Sequence, residues 1–293
     1  MLNKVVFRLD QYEKLIRLDR PIGILLLLWP TLWGLWLASR GVPDWRLAIV
    51  FVVGTVLMRS AGCAINDFAD RKFDGHVERT KNRPLATGVI KPWEAVAVAA
   101  VVAGLALGLA LLVLNKAAIK LAVIAFFLAL IYPFTKRFLS VPQVWLGIAF
   151  GFGIPMAFAA VYGIVLPVAW VLLAASAFWT LAYDTEYAMV DIEDDKKLGL
   201  KTSALFFGRF EVLAIMLSYA AMLGIMVWVG WRMKQHWPYF CALGLAGSVA
   251  GYHYWLIRQR DRAKCFKAFL HNHWIGLIIF VGIALDAWLF PFH

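Results

Sequence analysis

Runs of about 20 apolar residues, the length that crosses a bilayer core as helix, recur along the chain with short polar stretches between them. Nine spans are predicted, at roughly 21–38, 46–64, 94–114, 117–132, 141–162, 166–183, 209–230, 237–257 and 271–290. The first does not read as a cleaved signal, because about 20 residues that include Asp10, Glu13 and Asp19 precede it and eight spans follow. The predicted class is all-α, a polytopic membrane protein. It reads as one transmembrane unit over residues 1–293, with an N-terminal segment 1–20 and two long polar loops, 65–93 and 184–208.

Composition agrees with that pattern. The chain is 62% hydrophobic and only 16% charged, with a mean hydropathy of +0.74, more apolar surface than a soluble domain can hide. Cys63, Cys241 and Cys265 have neither disulfide nor metal-ligand spacing.

Charge orients the spans. The N-terminus and the 2–3, 4–5, 6–7 and 8–9 loops carry 22 of the 29 Lys and Arg residues, the opposite side carries 6, and Arg59 lies within a span. This bias predicts a cytoplasmic N-terminus and four cytoplasmic loops. The net charge of +11 follows from topology and suits anionic lipid headgroups. Nothing in it calls for nucleic acid.

Two acidic stretches stand out on the predicted cytoplasmic side. In "NDFADRKFDGHVERTKNRPL", Asn66 to Leu85, helical continuation of the second span would gather Asn66, Asp67, Asp70 and Asp74 within an arc of about 100°. In "YDTEYAMVDIEDDKKLGLKT", Asp184, Asp191, Asp194 and Asp195 would share an arc of similar width, with Gly199 as the helix stop. One such cluster could be a solvated surface, but two aligned clusters on one side point to a shared cation. Their oxygen-only donors suit a hard divalent ion such as Mg²⁺, which keeps part of its coordination for phosphate oxygens. Arg71, Lys72, Arg79, Lys81, Arg83, Lys136, Arg137, Lys196, Lys197 and Lys201 lie nearby, and cations with acid-held metal are what a lipid diphosphate needs.

Arg59 falls on the Asn66 face, about two turns or 10 Å deeper. An arginine at such depth is costly and usually functional. It either binds an acidic acceptor or pairs with Asp184 to tie helices. Superposing Asn66 on Asp191 also brings Asp70 onto Asp195 and Arg59 onto Asp184, which suggests equivalent halves.

The forms N-D-x-x-D-x-x-x-D in "NDFADRKFD" and D-x-x-x-D in "DIEDD" resemble those of the UbiA superfamily of intramembrane aromatic prenyltransferases. "DRPIGILLLLWPTLWGLW", "YPFTKR", "PQVWLGIAFGFGIPMAFAA", "AYDTEYAMVDIEDDKKLGLKTSA" and "CFKAFLHNHWIGL" are similar to its bacterial branch that acts on 4-hydroxybenzoate in ubiquinone biosynthesis. The resemblance implies nine helices bundled around a central cavity, with both motifs at its cytoplasmic mouth in the bacterial inner membrane. It implies a Mg²⁺-dependent transfer of a polyprenyl group, commonly octaprenyl, from its diphosphate to the ring carbon ortho to the acceptor hydroxyl.

By motif position, Asn66, Asp70, Asp74, Asp191 and Asp195 would hold Mg²⁺, with Asp67 beside them in the chemistry. Arg59, Asn66, Arg71, Lys72, Lys136, Arg137, Tyr183, Asp184, Tyr187 and Asp194 would contact substrate. Tyr132, Tyr183 and Tyr187 could face an allylic cation. The implied partners are polyprenyl diphosphate, 4-hydroxybenzoate, membrane lipids and other enzymes of the ubiquinone pathway. Dihydroxynaphthoate, homogentisate, haem or chlorophyllide as acceptor, or transport of a divalent cation, are the competing readings.

Elsewhere, Trp29, Trp33 and Trp36 read as interfacial or packing residues. Gly151, Gly153 and Pro155 read as a bend or close approach in the fifth span. His271 and His273 show no evident partner, and Asp286 is expected to be solvated.

Overall fold

The computed structural model describes residues 2–72, 74–76, 80–135 and 138–291, with the backbone alone for 2–4. Among the described residues, nine helical segments are long and apolar enough to cross a bilayer, and regular structure is helical throughout. In chain order the helices are α1 (Leu2–Ile16), α2 (Ile22–Ser39), α3 (Trp45–Asp70), α4 (Pro92–Val113), α5 (Lys116–Thr135), α6 (Pro142–Gly151) and α7 (Gly153–Tyr162). They continue with α8 (Pro167–Ala188), α9 (Ile192–Leu198), α10 (Ser203–Phe207), α11 (Glu211–Arg232), α12 (Trp237–Ile257) and α13 (Arg262–Leu289).

Local chemistry sets the ends. Proline in the first turn of α4, α6, α8 and α12 removes an N–H that would have no partner there. Asp44 caps α3 by accepting from Arg46 N at 2.7 Å, and Asp261 caps α13 by accepting from Lys264 N at 2.9 Å. Gly199 closes α9 at φ +65°, the stop expected of it.

Three helices outrun the predicted spans. α3 continues to Asp70, α8 to Ala188, and α13 begins at Arg262. Backbone hydrogen bonding does not end where apolar sequence does, so a span can project past the membrane while its side chains turn polar. Segment 1–20 also holds a helix, α1, packed against α3. It is fastened by Arg8, which pairs with Glu94 and donates to Val89 O at 2.8 Å, and by Tyr12 Oη, which donates to Glu94 at 2.9 Å.

The fifth span is broken at Phe152 into α6 and α7. A Cβ on Gly151 would meet Leu173 Cδ1 at 2.5 Å, and one on Gly153 would strike the Thr31 side chain. These glycines therefore serve both the bend and the close approach of α8 and α2.

The largest core cluster joins α2, α8, α11, α12 and α13 around Trp33 and Trp179, whose rings lie 5.2 Å apart. Trp33 is buried and donates to Gly276 O at 3.0 Å. A second cluster ties α2, α3, α4, α5 and α7, and a third ties α1, α3 and α4. Between them lies a cavity of about 2000 Å³.

Two expectations fail here. Asp286 is buried, accepting from His236 N at 2.6 Å and pairing with His236 Nδ1 at 3.1 Å. Orphan N–H groups at the start of α12 supply the partner that sequence could not show. His271 also has a partner, His253 Nε2 at 3.1 Å, which comes from the neighbouring helix.

Candidate active site

Both acidic stretches open on this one cavity. α3 contributes Arg59, Asn66, Asp67 and Asp70, and Asp74 follows from a short 3₁₀ turn, Asp74–His76. α8 contributes Tyr183, Asp184 and Tyr187, and Asp191 and Asp195 come from the start and interior of α9. Neither set rides on one unbroken helix, as the sequence had suggested. α3 ends at Asp70 and α8 at Ala188, so tertiary folding of the following turns returns Asp74, Asp191 and Asp195 to the cavity.

Other expected residues lie elsewhere. Arg71 and Lys72 are exposed and outside the cavity lining, with Arg71 donating to Phe68 O at 2.6 Å and lying over the Phe68 ring. Asp194 also stands outside the lining, 3.8 Å from Arg262 Nη2. Lys136, Arg137 and Arg79 fall outside the described residues.

Asp67 and Asp74 are already engaged by arginines. Asp67, 1% exposed, accepts from Arg17 at 2.9 and 3.1 Å and from Arg83 at 3.0 Å. Arg83 Nη1 also donates to Asp74 at 2.9 Å, and Thr80 Oγ1 holds the turn by donating to Asp74 O at 2.9 Å. A buried carboxylate is stable here only because two guanidiniums compensate its desolvation.

Arg59 differs in kind. Its Nε is buried without a hydrogen-bond partner, and it forms no ion pair among the described residues, so the helix-tying pair with Asp184 is absent. Its guanidinium carbon lies 5.4 Å from the centre of the Phe150 ring.

An aromatic wall completes the site. Tyr187 and Phe269 lie 4.4 Å apart, and Tyr183 meets Trp179 at 5.3 Å. Phe266, Phe269 and His273 of α13 also line the cavity. Sequence reading missed Arg17, Phe150, Phe266 and Phe269. Only the last two left a signal, since with His273 they recur at i, i+3 and i+7 on one face.

The donor set fits Mg²⁺. Asn66, Asp70, Asp74, Asp191 and Asp195 offer only oxygen. Among the described residues no three His, Cys, Asp or Glu side chains converge closely enough to hold an ion alone. Such an open arrangement suits Mg²⁺, which is commonly held by one or two carboxylates together with substrate phosphates.

The whole chain has counterparts. A protein of Methylobacillus flagellatus named 4-hydroxybenzoate octaprenyltransferase is 60% identical over 94% of this chain and 93% of its own length. One of the same name from Azoarcus is 60% identical over 95% and 97%. Among solved structures, the apo form of a UbiA homolog from Aeropyrum pernix covers 90% of this chain and 97% of its own at a TM-score of 0.79 and 26% identity. A UbiA homolog from Archaeoglobus fulgidus, bound to GPP and Mg²⁺, covers 94% and 99% at 0.70 and 18%. The UbiA prenyltransferase family matches residues 27–278, and the chain belongs to that family.

Proposed function

We propose that the protein transfers a polyprenyl group, octaprenyl by analogy with its named relatives, from its diphosphate to the ring carbon ortho to the hydroxyl of 4-hydroxybenzoate. The observation that carries this reading is one cavity in which two distant acidic motifs meet Arg59, whose buried Nε has no hydrogen-bond partner among the described residues. The relatives' names favour this acceptor over the other aromatic or tetrapyrrole acceptors, and favour transfer over cation transport.

In this reading Asn66, Asp70, Asp74, Asp191 and Asp195 would hold Mg²⁺, whose charge when bound offsets that of the departing diphosphate. The allylic C–O bond breaks and a C–C bond to the ring forms, with loss of one ring proton. Tyr183, Tyr187, Phe266 and Phe269 present π faces to the developing cation, worth about 0.5–2 kcal/mol for a favourable contact. The apolar walls keep water from that cation. Arg59 receives the acceptor carboxylate, the pairing for which a planar fork of donors is suited. Asp67, Arg17 and Arg83 hold the first motif in place.

The reading puts the protein in the bacterial inner membrane, with its N-terminus and both motifs facing the cytoplasm, on the strength of the Lys and Arg bias.

The test is incubation with 4-hydroxybenzoate, geranyl diphosphate and Mg²⁺, read by mass spectrometry. The prenylated acid is expected, and it should vanish with EDTA and in D70A and D191A. Diphosphate release without prenylated acid would overturn the acceptor assignment. Neither product from folded protein, also with a longer diphosphate, would overturn the transferase reading.

A further inference from the structure

The guanidinium of Arg59, whose Nε has no hydrogen-bond partner among the described residues, lies against the start of α2. A Cβ built on Gly23 would come within 2.6 Å of both Nε and Nη2 of Arg59 and 3.0 Å of its Cζ. Gly23 and Phe150 thus bound the space around the guanidinium from two helices, α2 and α6, and both line the cavity. Other tight glycines sit differently: Gly34 and Gly147 back onto the main chain of Ile154 and Ala177. At Gly23 the three nearest atoms all belong to the far end of one flexible side chain.

From this we infer that Gly23 is a specificity-determining residue. By having no side chain, it leaves Arg59 one resting place, with the guanidinium turned toward the acid group of the acceptor. The inference rests on the reading of Arg59 as the partner of that acid. Gly23 lies in a helix and its φ is outside the left-handed region, so alanine suits the backbone and is the better helix former. The added methyl then displaces the guanidinium and leaves the fold intact. Displacement of a positioning group by about 1 Å is enough to cost up to about a hundredfold.

Gly23→Ala is the experiment, with 4-hydroxybenzoate and phenol compared as acceptors, since phenol has the same reacting ring without the carboxylate. The KM for 4-hydroxybenzoate should rise about tenfold or more, while the KM for geranyl diphosphate stays within about twofold and preference over phenol collapses. Melting in detergent should match the wild type. In an Arg59→Ala background the same change should add nothing further, because no guanidinium remains to be moved.

An R59A variant with raised acceptor KM beside an unchanged G23A would overturn the role of Gly23 alone. Unchanged acceptor KM in both variants would overturn the reading of Arg59 and this inference with it. Equal loss on both acceptors, or a misfolded G23A, would show that Gly23 is a packing residue.

Discussion

Neighbouring carboxylates of the first motif are expected to respond differently to removal. Asp67 and Asp70 are both buried and both line the cavity from α3, but Asp67 is clasped by Arg17 and Arg83, whereas Asp70 is a ligand in the proposed Mg²⁺ set. Removal of Asp67 leaves Arg17 without this ion pair and Arg83 with Asp74 alone, and breaking a buried pair costs up to about 3–5 kcal/mol. Asp67→Ala is therefore expected to lower the melting temperature of the detergent-solubilised protein markedly. Asp70→Ala should melt close to wild type while losing about a hundredfold or more in turnover, as removal of a charge-stabilising group typically does. Equal loss of melting temperature in both variants would sink this division. The motif spells both residues alike. That Asp67 meets two arginines depends on Arg17, 50 positions earlier, and on Arg83, 16 positions later.

Among the helices, α8 is where site and scaffold join. Tyr183, Asp184 and Tyr187 face the cavity, while Glu186 turns away into the protein with no exposure. Tyr219 of α11 donates to Glu186 Oε1 at 2.9 Å, and Asn272 of α13 donates to Oε2 at 2.7 Å. Trp179 of α8 donates to Asn272 Oδ1 at 3.0 Å, and His253 of α12 lies 3.0 Å from Tyr219 Oη. This buried network ties α8 to three neighbours and so sets how its polar end meets the cavity. Glu186→Leu leaves buried donors unfilled, each costing about 1–3 kcal/mol, and should lower the melting temperature. Glu186→Gln keeps a carbonyl for Asn272 and an amide that can donate to Tyr219, so it should melt near wild type. Destabilisation by glutamine equal to that by leucine would refute the exchange of partners. Nothing in the spacing of Glu186, Tyr219, His253 and Asn272 announces this network, because its members lie on four helices.

For the whole molecule, the cavity is the organising feature. At about 2000 Å³ it exceeds the roughly 300–1,000 Å³ of common small-molecule sites. Away from the carboxylates it runs between α3, α4 and α5, past Ala99, Ala103 and Leu107, to Ala110 and Leu114 at the far end of α4. That apolar arm suits an isoprenoid tail. Ala103→Trp should obstruct it, cutting kcat/KM for a long polyprenyl diphosphate at least about tenfold relative to geranyl diphosphate, in the way that a hydrophobic pocket discriminates by size. An unchanged ratio between the two donors would place the tail elsewhere.

The sequence alone determined the class, the nine spans, the two acidic motifs and the deep arginine. Each rests on composition or on a local period: apolar length against bilayer thickness, and charge confined to ends. Tertiary structure decided the rest. It broke the continuous helices on which Asp74, Asp191 and Asp195 were expected to ride, yet returned all three to one cavity. It kept Arg71, Lys72 and Asp194 outside the lining, engaged Asp67 with two arginines, buried Asp286, and set Gly23 beneath Arg59. The physical reason is common to these cases. Helical period fixes the direction of a side chain relative to its own axis, but what it meets depends on packing between segments far apart in the chain, which no local pattern encodes.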